Sequence, residues 1–167
     1  RRSNDEPYTG EVRDLIPDGS IHKKGHLRNG MRHGEWTDRD QYDGTVWGKD
    51  NFIIVDNKSL SHGEAIGFYE DGSVSSRTRS KFGKLHGLSE SFYKNGSKRQ
   101  IRNYHRGKKH GYHEVWFKNG MLDYKMYFVN GEPEDGPFKR YYPNGKVQID
   151  GRFKDGQQIG TWRAYDW

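Results

Sequence analysis

The sequence predicts an all-β protein: an elongated single-layer antiparallel sheet of stacked β-hairpin repeats. Three observations point there. A glycine-led segment recurs at a spacing of 24 residues, each copy carries an aromatic pair followed by Asn-Gly or Asp-Gly, and the composition suits a thin structure. Hydrophobic residues make up only 30% of the 167-residue chain and mean hydropathy is −1.23, too little aliphatic surface for a thick core. An aromatic fraction of 14% nevertheless argues against disorder, because disordered chains are poor in rings. Rings with few aliphatics fit a sheet one layer deep, where each ring covers neighbouring backbone.

The repeat is clearest from Gly63 onward. Related segments start at Gly63, Gly87, Gly111, Gly136 and Gly160, at intervals of 24, 24, 25 and 24 residues. The aromatic pairs are Phe68-Tyr69, Phe92-Tyr93, Trp116-Phe117 and Tyr141-Tyr142, and one residue later come Asp71-Gly72, Asn95-Gly96, Asn119-Gly120 and Asn144-Gly145. A second glycine follows 11 residues after each, at Gly83, Gly107, Gly131 and Gly156. Gly10 and Gly34 repeat the 24-residue spacing, with Asp18-Gly19 and Gly30 between them. From Gly34 to Gly63 the spacing is 29, which reads as a degenerate repeat over 34–62 with an insertion around Trp47 to Ser61, either a binding loop or a further strand. Residues 1–9 read as an N-terminal extension and 10–167 as one array.

Each unit holds two segments too short and too glycine-bounded for helices. Asn-Gly and Asp-Gly are hairpin turn signals, expected because their side chains tolerate positive φ. In the unit starting at Gly111 the first strand is expected to end near Phe117 and the second to run from about Met121 to Phe128. There Leu122, Tyr124, Met126 and Phe128 fall on one face, as do Val147, Ile149, Gly151 and Phe153 in the next unit. The alternation is weaker in Lys98, Gln100, Arg102 and Tyr104. A lone hairpin is marginal in water, so the units must stack to pair their backbone groups. Trp162, Tyr165 and Trp167 are placed to cap the last strand.

The pattern G-x-x-x-x-[FYW]-[FYW]-x-[ND]-G, with its second glycine 11 residues on, resembles the bacterial variant of the MORN repeat family from Gly10 to Trp167. The resemblance implies antiparallel hairpin stacks that serve protein–protein contact, assembly and sometimes membrane association. It also implies, more loosely, an antitoxin-like role, since the variant occurs in proteins of that description. It carries over no catalytic residue.

The residues themselves point away from catalysis. There is no cysteine, which excludes disulfides and thiolate metal sites. No G-x-S-x-G, H-E-x-x-H or P-loop pattern occurs. Glu132, Glu134 and Asp135 surround Pro133 as a charged loop would. His33, His62, His86 and His110 each precede a repeat glycine, an arrangement that fits turn packing. Neighbours one repeat apart would stand roughly 10 Å from each other, too far to share an ion at Zn–N bonds of about 2 Å. His105, His110 and His113 are close in sequence but separated by a turn. No cofactor is implied.

Charge and exposed rings nominate a partner surface. The formal charge is +6, and between Ser97 and Gly111 there are basic residues and no acidic one. Arg99, Arg102, Arg106 and Lys109 are the basic candidates, with Arg77, Arg79, Lys81 and Lys84 in the preceding unit. Tyr112, Trp116, Tyr127 and Trp162 are the aromatic candidates, because rings and Arg dominate protein interfaces. A protein partner is the leading expectation. Anionic lipid is the alternative, nucleic acid is disfavoured because the fixed phase of the rings fits packing better, and self-association through exposed sheet edges stays open. The longest apolar stretch, Phe52-Ile53-Ile54-Val55, is far too short for a membrane-spanning helix. The chain opens on Arg1-Arg2-Ser3, as a fragment or processed product would, so an upstream signal would not be displayed. Cytoplasm and periplasm or cell envelope therefore both remain open.

Overall fold

The computed structural model describes residues 7–40 and 42–167; residues 1–6 of the expected N-terminal extension, and Gln41, lie outside the described residues. Every regular element is a strand, and the strands fall into two units. The first holds β1 (Gly10–Leu15), β2 (Ile21–Arg28), β3 (Met31–Arg39), β4 (Val46–Val55), β5 (Lys58–Ser61) and β6 (Gly63–Phe68). Its antiparallel order is β1-β2-β3-β4-β6, with β5 also on β4. β7 (Val74–Lys81) carries residues of both units. The second unit holds β8 (Lys84–Phe92), β9 (Lys98–His105), β10 (Lys108–Trp116), β11 (Leu122–Val129), β12 (Glu132–Pro133), β13 (Gly136–Tyr141), β14 (Val147–Lys154) and β15 (Gln157–Ala164). Its order is β8-β9-β10-β11-β13-β14-β15, again antiparallel, with the short β12 on β11. Each unit is thus a single-layer antiparallel sheet of stacked hairpins.

Two turn types alternate, and the structure corrects the expected one. At Asp71-Gly72, Asn95-Gly96, Asn119-Gly120 and Asn144-Gly145 only the glycine has positive φ, at 79°, 79°, 85° and 82°. The glycine N–H donates to the carbonyl three residues back, as Gly96 does to Tyr93 at 2.8 Å. The Asx side chain does not adopt positive φ; its Oδ1 accepts the N–H two residues on, from Ser73, Ser97, Met121 and Lys146. This is a turn closed by a glycine bulge, and the register shifts beside it in each hairpin whose pairing is resolved, between Ser91 and Phe92, Val115 and Trp116, and Arg140 and Tyr141. The positive-φ pairs lie at the opposite end of the strands, at Asn29-Gly30, Asp56-Asn57, Phe82-Gly83, Arg106-Gly107, Asn130-Gly131 and Asp155-Gly156. Two consecutive left-handed residues make the tight turn whose twist matches the strands.

Stacking is secured by bonds that recur with the repeat. Gly30, Gly83, Gly107 and Gly131 donate backbone N–H to the carbonyls of Tyr8, Ser61, Leu85 and Lys109, at 2.8–2.9 Å. The first left-handed residue of a turn is capped by the side chain that precedes a repeat glycine, 20 positions earlier. Asn29 N–H meets Thr9 Oγ1 at 2.9 Å and Asp155 N–H meets Asp135 Oδ1 at 2.8 Å, while Phe82 and Arg106 N–H lie 3.4 and 3.5 Å from Nδ1 of His62 and His86. Histidine in that row is therefore one of several acceptors for the same backbone donor. Because Tyr8 and Thr9 join both patterns, the repeat geometry reaches back of Gly10 into the segment read as an extension.

The insertion in the 29-residue repeat forms a longer hairpin. β4 and β5 pair from Phe52–Ser61 to Val55–Lys58 around the Asp56-Asn57 turn. Relative to Gly72, Gly83 and Gly87, the corresponding Gly44, Asn57 and Gly63 show one residue added in the first turn and two in each strand. Adding residues in twos keeps every later side chain on its original face, since strand side chains alternate with period two. Trp47 to Ser61 is thereby a pair of strands, the second of the two readings left open by the sequence.

Burial is shallow, as the composition demands. Trp36 and Phe128, each 8% exposed, are the buried hydrophobic side chains among the described residues.

Candidate docking face of the carboxy-terminal unit

Register sorts the side chains of the second unit onto two faces. Across β9, β10 and β11 the facing residues Arg102, His113 and Met126 share one side, as do Gln100, Val115 and Tyr124. Tyr124 pairs with Arg140, Arg140 with Ile149, and Ile149 with Ala164, so this side continues to β15. The opposite side carries Ile101, Glu114 and Lys125, then Tyr112 facing Tyr127, then Lys139 facing Asp150. The first side is the apolar one. Its rings form two series: Tyr104 to His113 at 5.6 Å and His113 to Phe128 at 4.7 Å between ring centres, and then Tyr124 to Phe138 at 6.0 Å, Phe138 to Phe153 at 5.7 Å and Phe153 to Trp162 at 5.3 Å. Phe138, Phe153, Trp162, Tyr124 and Ile149 line an open concavity of about 690 Å³, with Arg140 at its wall.

Local sequence explains how each ring is seated. Trp162 lies flat on β14 because Gly151 has no side chain: a Cβ there would stand 2.3 Å from its Cδ2. Trp36 sits in the same way on Gly25 in the first unit, and its indole N–H donates to the His26 carbonyl at 3.2 Å. At the equivalent place His113, 2% exposed, uses Nε2–H to bond the Asn103 carbonyl at 2.9 Å. Burial lowers its pKa against the opposing effect of the Asn103 bond, and the charges of Lys109 and Arg102 push the same way as burial. Asp123, 5% exposed, occupies the shift between β10 and β11 and takes a two-pronged ion pair from Arg140, at 2.6 and 3.0 Å. The second ring of the aromatic pair also has a structural task. Tyr93 and Tyr142 hydroxyls donate to the carbonyls of Trp116 and Tyr165 in the following repeat, at 2.8 and 2.7 Å.

The eight nominated residues do not form one patch. Arg102, Lys109 and Trp162 lie on the apolar face, with the Lys109 ammonium 4.7 Å from the centre of the Phe128 ring. Tyr112 and Tyr127 stack edge-to-face at 4.9 Å on the other side, where Lys125 caps Tyr112 at 4.0 Å and binds Glu114 at 2.8 Å. Tyr112, Tyr127 and Lys125 line a second, smaller concavity of about 390 Å³ with Pro137, Lys139 and Tyr141. Trp116 stands at the bulged-turn end, 6.0 Å from the Lys98 ammonium, and Arg99 at that end lies over Tyr93. Arg106 occupies the first place of a tight turn at φ 51°. Phe138 and Phe153, which the sequence reading did not nominate, are central to the apolar face. Phe153 had its signal in the alternation Val147, Ile149, Gly151 and Phe153.

Charge is segregated along the chain. The second unit, Ser75–Thr78 with Leu85–Trp167, carries sixteen basic and nine acidic residues, whereas the remainder carries thirteen and fourteen. On the apolar face Arg102 and Lys109 have no carboxylate partner among the described residues. Glu90, Glu114 and Asp150 point to the opposite side. The other acids of this unit lie in the β11–β13 connection, in a turn or beyond β15, apart from Asp123, which Arg140 engages.

At the tight-turn end His86, His105 and His110 form a row with ring centres 5.0 and 5.9 Å apart. Desolvation and the neighbouring His86, Arg106 and His110 lower the pKa of His105. Among the described residues no group of three or more His, Asp or Glu side chains converges so as to hold a metal ion. The described residues form a repeat module of stacked hairpins, and the chain has no cysteine.

Comparison with known families agrees with the geometry. The MORN repeat variant profile matches residues 85–106, 109–130 and 134–155. Each block opens two residues before a repeat glycine and spans one hairpin of the second unit, and the three together cover less than half of the chain. The first unit is similar in its own turns and caps. A search of curated proteins returned no match to the chain.

Proposed function

We propose that this protein is a protein-binding scaffold module whose docking surface is the apolar face of the second unit. One observation carries the reading: two series of rings, Tyr104 to Phe128 and Tyr124 to Trp162, lie on a face that no second layer of the described residues covers in that unit. Sheets bury an apolar face against another element, and here the chain supplies none among the described residues. Inhibition of a toxic protein would be one form of the same activity, supported by the resemblance alone.

The test is affinity capture from the source cell's extract at physiological salt, with wild type beside a Phe138→Ser variant. The expected result is one stoichiometric protein retained by wild type and lost at least tenfold with the variant, while circular dichroism of the two coincides. Equal retention by both removes this face as the docking surface. The positive balance of the second unit supports a second reading, attachment to anionic lipid. Its signature is sedimentation with phosphatidylserine vesicles that disappears at high salt, without any retained protein.

A further inference from the structure

The charge pattern of the apolar face narrows its partner. On this face the carboxylate of the second unit is Asp123, and it is buried and engaged by Arg140. Arg102 faces His113 and Met126 across the strands, and Lys109 stands over Phe128, both without an acidic partner. The face therefore offers apolar rings toward β15 and unbalanced cations toward β9. Crossing from β9 to β15 takes five strand steps, roughly 24 Å at the usual interstrand spacing.

What lies on a sheet face, as opposed to its edge, finds no backbone ladder. An extended segment laid there would leave its own N–H and C=O groups unpaired as it lost water, whereas a helix satisfies them internally. An apolar stripe on such a helix would meet the concavity of Phe138, Phe153 and Trp162, and carboxylates one end along would reach Arg102 and Lys109.

We propose that the apolar face of the second unit binds an acidic amphipathic helix, about 16 residues long to cover the roughly 24 Å span, on a protein partner. The inference rests on the protein-docking reading above and specifies its chemistry. The setting of His113 sharpens the preference: its ring lies between Tyr104 and Phe128, with Arg102 facing it and Lys109 over Phe128, and those two cations repel a basic segment while attracting an acidic one.

Two defined 16-residue helices test this, with the same leucine stripe and either glutamate or lysine on the flanks, titrated into the full chain by fluorescence anisotropy. The acidic helix is expected to bind at least tenfold more tightly than the basic one and to lose affinity as salt rises. The Arg102→Glu/Lys109→Glu variant should weaken the acidic helix at least tenfold and reverse the preference. Both positions are part-exposed or exposed, so the variant keeps the fold, and circular dichroism verifies this. Equal binding of the two helices, an unchanged affinity in the variant, or no binding of either overturns the proposal. So does a face taken up by anionic vesicles or by a second copy, read by sedimentation. A native partner that is captured and lost with Phe138→Ser, yet indifferent to Arg102→Glu/Lys109→Glu, leaves the docking reading standing and removes only the acidic helix.

Discussion

Replacing Gly151 with alanine should be destabilising in the native protein and harmless once Trp162 is gone. The added Cβ would stand 2.3, 2.5 and 2.6 Å from Cδ2, Cε2 and Cε3 of the indole. Carbon atoms at ordinary contact lie about 3.5–4.0 Å apart, so the ring must retreat by more than about 1 Å. Overpacking of this kind costs about 1–3 kcal/mol. Gly151 does not have positive φ, so no backbone strain adds to the cost. In a Trp162→Ala background the same methyl enters open space, and removing glycine's excess freedom in a strand stabilises by about 0.5–1 kcal/mol. The two changes should therefore couple by about 1.5–4 kcal/mol, at or above the size seen for residues in direct contact. Urea unfolding of the four variants, followed by tryptophan fluorescence and far-ultraviolet dichroism, measures this cycle. A Gly151→Ala cost that is equal in both backgrounds would refute the seating of the indole on β14. Gly25 and Trp36 provide the same test in the first unit, where the three distances are again 2.3, 2.5 and 2.6 Å.

Three further outcomes are expected. Arg106→Asn should raise stability by about 1 kcal/mol, because left-handed φ disfavours most side chains and asparagine tolerates it; a lower urea midpoint would show that the arginine side chain itself stabilises the turn. Arg140→Leu should cost about 3–5 kcal/mol by leaving the buried Asp123 carboxylate uncompensated, and Arg140→Leu/Asp123→Leu should recover most of it; an equal loss in the double variant argues against the pair. His113 has a folded pKa lowered by burial, so below its unfolded value of about 6.5 the unfolded chain takes up the proton first and stability falls as pH drops toward the folded pKa. The slope from this one group is at most about 1.4 kcal/mol per pH unit, and His113→Gln should flatten the pH 7.5 to 5.5 difference in urea midpoint; an unchanged difference assigns the acid loss elsewhere.

What was legible in the sequence is what backbone geometry forces residue by residue. Gly72, Gly96, Gly120 and Gly145 stand out because the bulged turn needs left-handed φ at that place. The faces were legible from Val147, Ile149, Gly151 and Phe153, since alternation survives any change made in pairs, including the four strand residues that lengthen the β4–β5 hairpin. The turn chemistry was misread for a physical reason. Asn-Gly signals both a tight turn with two left-handed residues and a turn whose asparagine side chain holds the next N–H, and the pair alone does not separate them. Serine two residues after the Asx, at Ser20, Ser73 and Ser97, was the separating signal: its N–H bonds the carboxylate or amide oxygen, and its hydroxyl does so too. The true tight turns were concealed because Phe82 and Arg106 occupy places that Asn29, Asn130 and Asp155 fill elsewhere.

The candidate site was only half legible because a basic stretch in sequence is not a basic patch on a sheet. Arg99, Arg102, Arg106 and Lys109 lie within 11 residues, yet the bulge beside Phe92, the alternation of β9 and the turn at Arg106-Gly107 send them in different directions. What the sheet brings to Arg102 and Lys109 comes from later repeats: Phe128 under Lys109, then the rings of Phe138, Phe153 and Trp162 further along the same face. A repeat fixes which rings recur, and each repeat's rings pack first on the next repeat. Residues that break the period are therefore the ones that distinguish one part of the face from another. His113 stands where Trp36, Phe138 and Trp162 stand in other copies, and it is flanked by cations without counter-charges. That departure from the rule, more than the aromatic positions that obey it, is what distinguishes the middle of this face from the rest.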